Sequence, residues 1–238
     1  MRQAWRPPAG RAAAVVGKSG RDADSPGLYR LSWDALLFDF DGVLADTEPI
    51  HFACWRELLH PFGIRLDWDY YQRNCVGVSD RQMVERLASA HDPPIPWDDV
   101  WPQYQRKQPM FRERLLADPP FLPQTLECIR ELAGQYKLAV VSSSSRSEVE
   151  PPIARAGIHG CFQAFVCGRE VPNLKPAPDP YLKAAELLSA RRPLVIEDSD
   201  AGVASAKAAG FDVLRVSGAD RVAQELREIL ARPQIVQS

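Results

Sequence analysis

At 238 residues, 45% apolar and 25% charged, the chain has room for one large domain or two modest ones around a substantial core. A formal net charge of −2 argues against a general nucleic-acid or membrane-surface binder, and no apolar run approaches the ~20 residues that span a bilayer. Five scattered cysteines (Cys54, Cys75, Cys128, Cys161, Cys167) contain no Cys-x-x-Cys pair, and the four histidines are spread as thinly. Disulfides and zinc are therefore disfavoured, and free thiols in a reducing, cytoplasmic compartment are expected.

Residues 1–32 differ from the rest. Arg2, Arg6, Arg11, Lys18 and Arg21 precede the first acid, Asp22, among prolines and glycines. The stretch Ala12 to Val16 is shorter than the roughly 7–15 residues of a signal peptide's apolar region. Gly17-Lys18-Ser19 lacks both the glycine spacing and the leading strand of a phosphate-binding loop. This segment is expected to be a disordered extension.

Ala35 to Asp41 is a short apolar run that ends in acids and a glycine, the pattern of a buried parallel strand. Similar runs follow at Lys137 to Ser142, Leu194 to Glu197 and Asp212 to Val216, with a weaker one at Phe162 to Cys167. Helical patterns lie between and after them, at Thr125–Ala133, Glu148–Ala156, Pro180–Ser189, Ala201–Ala209 and Val222–Leu230. Strands alternating with helices predict an α/β fold with a parallel sheet, whose ligands gather at the C-terminal strand ends. Residues 49–118 instead carry apolar positions at helical spacing (Phe52, Trp55, Leu58, Leu59; Met83, Val84, Leu87) and no strand-like run. They predict a helical insertion between two parts of a core, residues 33–48 and 119–238. Pro93, Pro94 and Pro96 mark a loop within it, and Pro119, Pro120 and Pro123 the return to the sheet.

Four clusters fall at the predicted strand ends. Asp39 and Asp41, in Asp39-Phe40-Asp41-Gly42, are one residue apart, so on a strand both would point to one side. Burying them together calls for a cation, and oxygen ligands suit magnesium. Ser142-Ser143-Ser144-Ser145 offers hydroxyls and loop amides to phosphoryl oxygens. Lys175, before Pro176, offers a point charge, and Glu197-Asp198 supplies more metal oxygens. Apart from the first, each cluster alone is also compatible with an ordinary polar turn or a solvated side chain.

In their order these motifs resemble the haloacid dehalogenase-like superfamily over about Ala35 to Val216. Lys175-Pro-Ala-Pro-Asp179 and Ile196-Glu-Asp-Ser199 resemble the subgroup of β-phosphoglucomutase and sugar-phosphate phosphatases. The resemblance implies a Rossmann-like core with an inserted helical cap. It also implies that Asp39 is the nucleophile, that Asp41 is the general acid and base, and that Ser142 and Lys175 hold the phosphoryl group. By the same resemblance, magnesium would sit on Asp39, Asp198 and the main-chain carbonyl of Asp41, with Glu197 in or beside that shell. Because Asp41 is present, phosphate chemistry is favoured over carbon–halogen cleavage.

Thr47, His51, Ser79, Arg81 and Ser143 are the expected substrate contacts. In the mutase an arginine directly follows the cap serine and grips a second phosphate; here Asp80 takes that place and Arg81 is one residue on, turned by ~100° on a helix. Lys107 reads as a charged residue on a surface helix, and Ser144, Ser145 and Arg146 suggest no role. The expected function is a magnesium-dependent phosphatase for a small phosphorylated metabolite, such as a sugar phosphate, acting as a monomer without nucleic acid or membrane. The rival readings are a β-phosphoglucomutase-type isomerase and a non-catalytic metabolite-binding protein.

Overall fold

In the computed structural model, residues 33–231 are described. The extension expected at 1–32, with its Gly17-Lys18-Ser19 string, lies outside them. Five strands, β1 (Ala35–Phe38), β2 (Lys137–Ser142), β3 (Ala164–Cys167), β4 (Pro193–Glu197) and β5 (Asp212–Arg215), form one sheet. Its order is β3-β2-β1-β4-β5, and every pairing is parallel. From β1 the chain first builds outward through β2 and β3, then returns to place β4 on the other side of β1. That reversal opens a crevice at the C-terminal end of β1, where ligands bind in such sheets.

Alternation along the strands gives the sheet two unlike faces. Leu36, Phe38, Leu138, Val140, Leu194 and Ile196 point to one side, beside residues of α6 (Pro123–Ala133), α7 (Arg146–Arg155) and α10 (Val222–Ala231). Ala35, Leu37, Ala139, Val141 and Ala164 point to the other, where α8 (Asp179–Leu188) and α9 (Asp200–Ala208) supply Ala184 and Ala206. Small side chains on both partners bring α8 close to the sheet and carry the buried Tyr181 beneath the strand ends.

Between β1 and α6 run α1 (Glu48–Leu59), α2 (Trp68–Asn74), α3 (Asp80–Ala90), α4 (Trp97–Val100) and α5 (Gln103–Ala117). They enclose a core of their own around Trp55, Leu59, Met83 and Val84. α5 belongs to both cores, because its Phe111 and Leu115 join the sheet-side cluster and its Met110 touches each. No helix among the described residues is long and apolar enough to cross a membrane.

One local expectation is corrected. β1 stops at Phe38, and Asp39 to Ala45 form a tight loop in which Leu44 and Ala45 both donate to the Phe40 carbonyl at 3.0 Å. The acids therefore leave from a turn instead of sharing one face of a strand. Gly42 makes the turn possible at φ +75°, and a methyl there would collide with the Asp198 carboxylate.

Ile196 is fully buried beside β1, one residue before Glu197, the acid that ends β4. Ile196→Ala should lower unfolding free energy in urea by about 3 kcal/mol through a cavity under the site. A loss below about 1 kcal/mol would contradict this packing.

Candidate active site

Lys175 organises the strand ends. Its Nζ donates to Asp39 Oδ1 (2.5 Å), to Glu197 Oε1 (2.5 Å) and to the Val141 carbonyl (2.9 Å), and stands 4.9 Å from the Tyr181 ring centroid. Burial alone would pull this amine down, but the charges of Asp39 and Glu197 outweigh it and hold Lys175 above its ordinary value. The ammonium is a fixed charge.

Glu197 is fully buried and saturated. Besides Lys175, it accepts from Tyr181 OH (2.8 Å), the amides of Asp198 and Ser199 (both 3.1 Å) and Ser199 Oγ (3.0 Å). Burial would raise its carboxyl; the Lys175 charge and these donors overcome that and keep it below the usual range. Five donors occupy the about four lone-pair positions a carboxylate offers. Gly202 makes the fit possible, since a methyl there would fall on the Glu197 carboxylate. Glu197 thus has its oxygens committed to protein donors and sits beside a metal site more readily than in it.

Asp39, Glu197 and Asp198 nonetheless bring carboxylate oxygens within 4.8 Å of one another, with Lys175 as the ammonium among them. Burial pushes Asp39 well above the usual range, against the pull of Lys175, and the charges of Glu197 and Asp41 add to the rise. Asp198 is pushed up to about 6, by burial and then by Glu197. Three acids sharing one ammonium leave negative charge in excess, and an all-oxygen donor set fits a hard divalent cation such as magnesium. Asp39 and Asp198 are the side chains with oxygens to give it. The Asp41 side chain is turned elsewhere, so any contribution from Asp41 falls to its main chain.

The Asp41 carboxylate is held at both oxygens, by Thr47 Oγ1 (2.8 Å) and Ser144 Oγ (2.9 Å). Thr47 is 1% exposed, which makes it a support for Asp41 and corrects its expected place among substrate contacts. Ser142 is buried and accepts from the Ser144 amide (3.0 Å), while its own hydroxyl proton is left for donation. Asp39, Asp41, Ser143, Lys175 and Asp198 line one cleft of about 690 Å³. A second cavity of about 920 Å³ opens between the helical segment and the β2–α7 turn, lined in part by His51, Asp80, Lys107 and Ser144. Ser143 lines both.

Besides Thr47, two more expected contacts are not brought to either cavity. Ser79 is exposed and caps α3, accepting from the Gln82 amide at 3.3 Å. Arg81 points away, its guanidinium 5.1 Å from the Trp97 ring and 5.9 Å from that of Trp101, because α4 offers aromatic faces on that side. His51 lies in the second cavity, stacked on Phe111 with ring centroids 4.1 Å apart, and its Nδ1 meets Lys107 Nζ at 2.6 Å. Burial and the Lys107 charge push the imidazole down to about 4, so it is neutral at physiological pH. Lys107 itself is 4% exposed, which corrects its reading as a surface residue. Sequence reasoning also missed Ser144 and Tyr181; the motif spacing of Ser144 from Ser142 was the only available signal.

A family model described as haloacid dehalogenase-like hydrolase matches residues 36–216. The phosphorylated carbohydrates phosphatase of Thermotoga maritima is 31% identical over 182 residues, covering 75% of this chain and 82% of that protein. The fructose-1-phosphate phosphatase YqaB of Escherichia coli is 30% identical over 183 residues, covering 76% and 95%. The structure of CbbY from Rhodobacter sphaeroides in complex with phosphate aligns with a TM-score of 0.61 at 27% identity, over 79% of this chain and 87% of that one. The chain belongs to the haloacid dehalogenase-like hydrolase family, in the branch related to sugar-phosphate phosphatases and β-phosphoglucomutase.

The crowding of acids has a measurable sign. Asp198 has a folded value near 6 against an unfolded value near 3.9, so its stability contribution is full below the latter and lost as pH rises through 6. With chelator present, lowering pH from 7.5 to 5 should therefore stabilise the wild type more than Asp198→Asn, by on the order of 1 kcal/mol. Equal gains in thermal melts of the two proteins would contradict the crowding.

Proposed function

We propose that this protein is a magnesium-dependent phosphatase that hydrolyses a phosphorylated carbohydrate through an aspartyl-phosphate on Asp39. The observation that carries the reading is the meeting in one cleft of Asp39 and Asp41 from the loop after β1, Lys175 from the loop between β3 and α8, and Asp198 from the end of β4. The helical segment α1–α5 acts as a cap over it. Its Glu48, Val76 and Gly77 also line that cleft. Four of the five cysteines are buried free thiols, in keeping with a reducing, cytoplasmic setting, and the proposed reaction uses residues of one chain.

In this reading Asp39 attacks phosphorus and forms the covalent intermediate, while Lys175 neutralises the phosphoryl oxygens. Ser142 and Ser143 orient the group with hydroxyl or amide donors. Asp41 first protonates the leaving alkoxide, then takes a proton from the water that attacks the aspartyl-phosphate. Two hydroxyl donors hold its carboxyl in the first cleft, and one of them, Ser144, lines the second cavity, which turns the acid toward the leaving-group side. Magnesium, held by Asp39, Asp198 and the main chain of Asp41, would neutralise charge on the transferring phosphoryl group.

The mutase reading finds less support. It calls for a grip on a second phosphate, whereas Asp80 carries a negative charge into the second cavity and Arg81 is turned away. The metabolite-binding reading would leave an intact nucleophile, acid–base pair and cation site without a use.

A phosphate-release screen over hexose and pentose phosphates, with magnesium, tests the proposal. Wild type should release phosphate and chelator should stop it; Asp39→Asn should be inactive with an unchanged fold. Magnesium-dependent turnover retained in Asp39→Asn would refute the assignment. Ser144→Ala and Thr47→Val should each cut kcat by about tenfold, as expected when an acid–base group loses its orientation, with KM changed little. An effect confined to KM would count against their role.

A further inference from the structure

We infer that Asp80 sets substrate choice by holding Lys107, so that the second cavity accepts an uncharged, hydroxyl-bearing leaving group and rejects a second phosphate. The inference rests on the phosphatase reading above and goes on to the kind of monoester that is cut.

Lys107 is the most deeply buried cation lining that cavity. Its Nζ is shared between Asp80 Oδ2 (3.0 Å) and His51 Nδ1 (2.6 Å), with the Phe111 ring centroid 4.8 Å away. Asp80 is itself fixed, because its other oxygen accepts from Nε1 of the fully buried Trp55 at 2.7 Å. A carboxylate anchored on both oxygens cannot swing aside when substrate enters. An arriving phosphate would find the ammonium already paired and would meet the charge of Asp80, whereas a hydroxyl would meet neither obstacle.

The other cations around the cavity do not replace it. Arg146 is held by both oxygens of Glu170, at 2.6 and 2.9 Å, and Arg112 faces Glu148 at 3.7 Å. Arg169 is exposed and has no ion pair among the described residues, but an exposed guanidinium attracts an anion weakly through water. The polar groups near the catalytic end are chiefly serine hydroxyls; Ser144 donates its own to Asp41 and Ser145 to Glu148, which leaves that of Ser143.

The test measures kcat/KM for matched hexose monophosphates and bisphosphates, with magnesium, in wild type, Asp80→Asn and Asp80→Asn/Lys107→Met. Asparagine keeps an acceptor for Trp55 while removing the charge, and thermal melts check the fold. Wild type should prefer monophosphates. Asp80→Asn should raise the bisphosphate-to-monophosphate ratio by about tenfold or more, mostly through KM, as one charge-assisted contact is regained. The double variant should lose that gain. An unchanged ratio in Asp80→Asn, or losses equal for both substrates, would show that Asp80 is only structural and overturn the inference. So would a wild-type preference for bisphosphates that disappears in Arg169→Gln. Wild type releasing phosphate from no substrate would instead bring down the phosphatase reading itself.

Discussion

One buried ammonium ties the catalytic end of the sheet together. Lys175 bonds to the loop after β1, to Val141 near the end of β2 and to the end of β4, which are three adjacent strands. Removing a charge from water is costly, and the cost is offset only because two carboxylates and a carbonyl meet it at hydrogen-bond distance. The same ammonium gives the acids a reason to gather. Glu197 serves this arrangement as an anchor, drawing Tyr181 and the start of α9 around the lysine.

From that anchor the division of labour follows. Asp39 is bound to Lys175 and lies among acids that favour a cation, whereas Asp41 is held by two hydroxyls away from them. Two aspartates one residue apart thus occupy unlike surroundings, which suits one to attack and the other to exchange protons. The turn at Gly42 creates the difference; on a continuous strand both would have faced the same neighbours.

Most of the sheet was legible because β1 to β4 are buried on both faces and read as apolar runs ending in polar residues. β2 spans Lys137–Ser142, as expected, and β3 was weaker because only Ala164–Cys167 form it. The strand-end acids, Lys175 and the serines were legible from type and order. What was hidden depends on packing across long separations. Lys107 sits on a polar helix and is buried only because α1 and α3 bring His51 and Asp80 to it. Tyr181 reads as an ordinary core aromatic, since nothing local shows that Glu197 will end above it. Arg81 was misplaced because its tryptophan partners lie on α4 and just after it, beyond a proline-rich loop.

The two cavities share a single lining residue, Ser143. Groups that would handle phosphorus and groups that would judge the rest of the metabolite are therefore almost wholly separate sets of positions. Substitutions around the distal cavity can accumulate without disturbing the lysine-centred cluster, so a lineage can trade one metabolite for another while its reaction stays intact. For a designer, the same partition marks where a library should be built, and where it should stop.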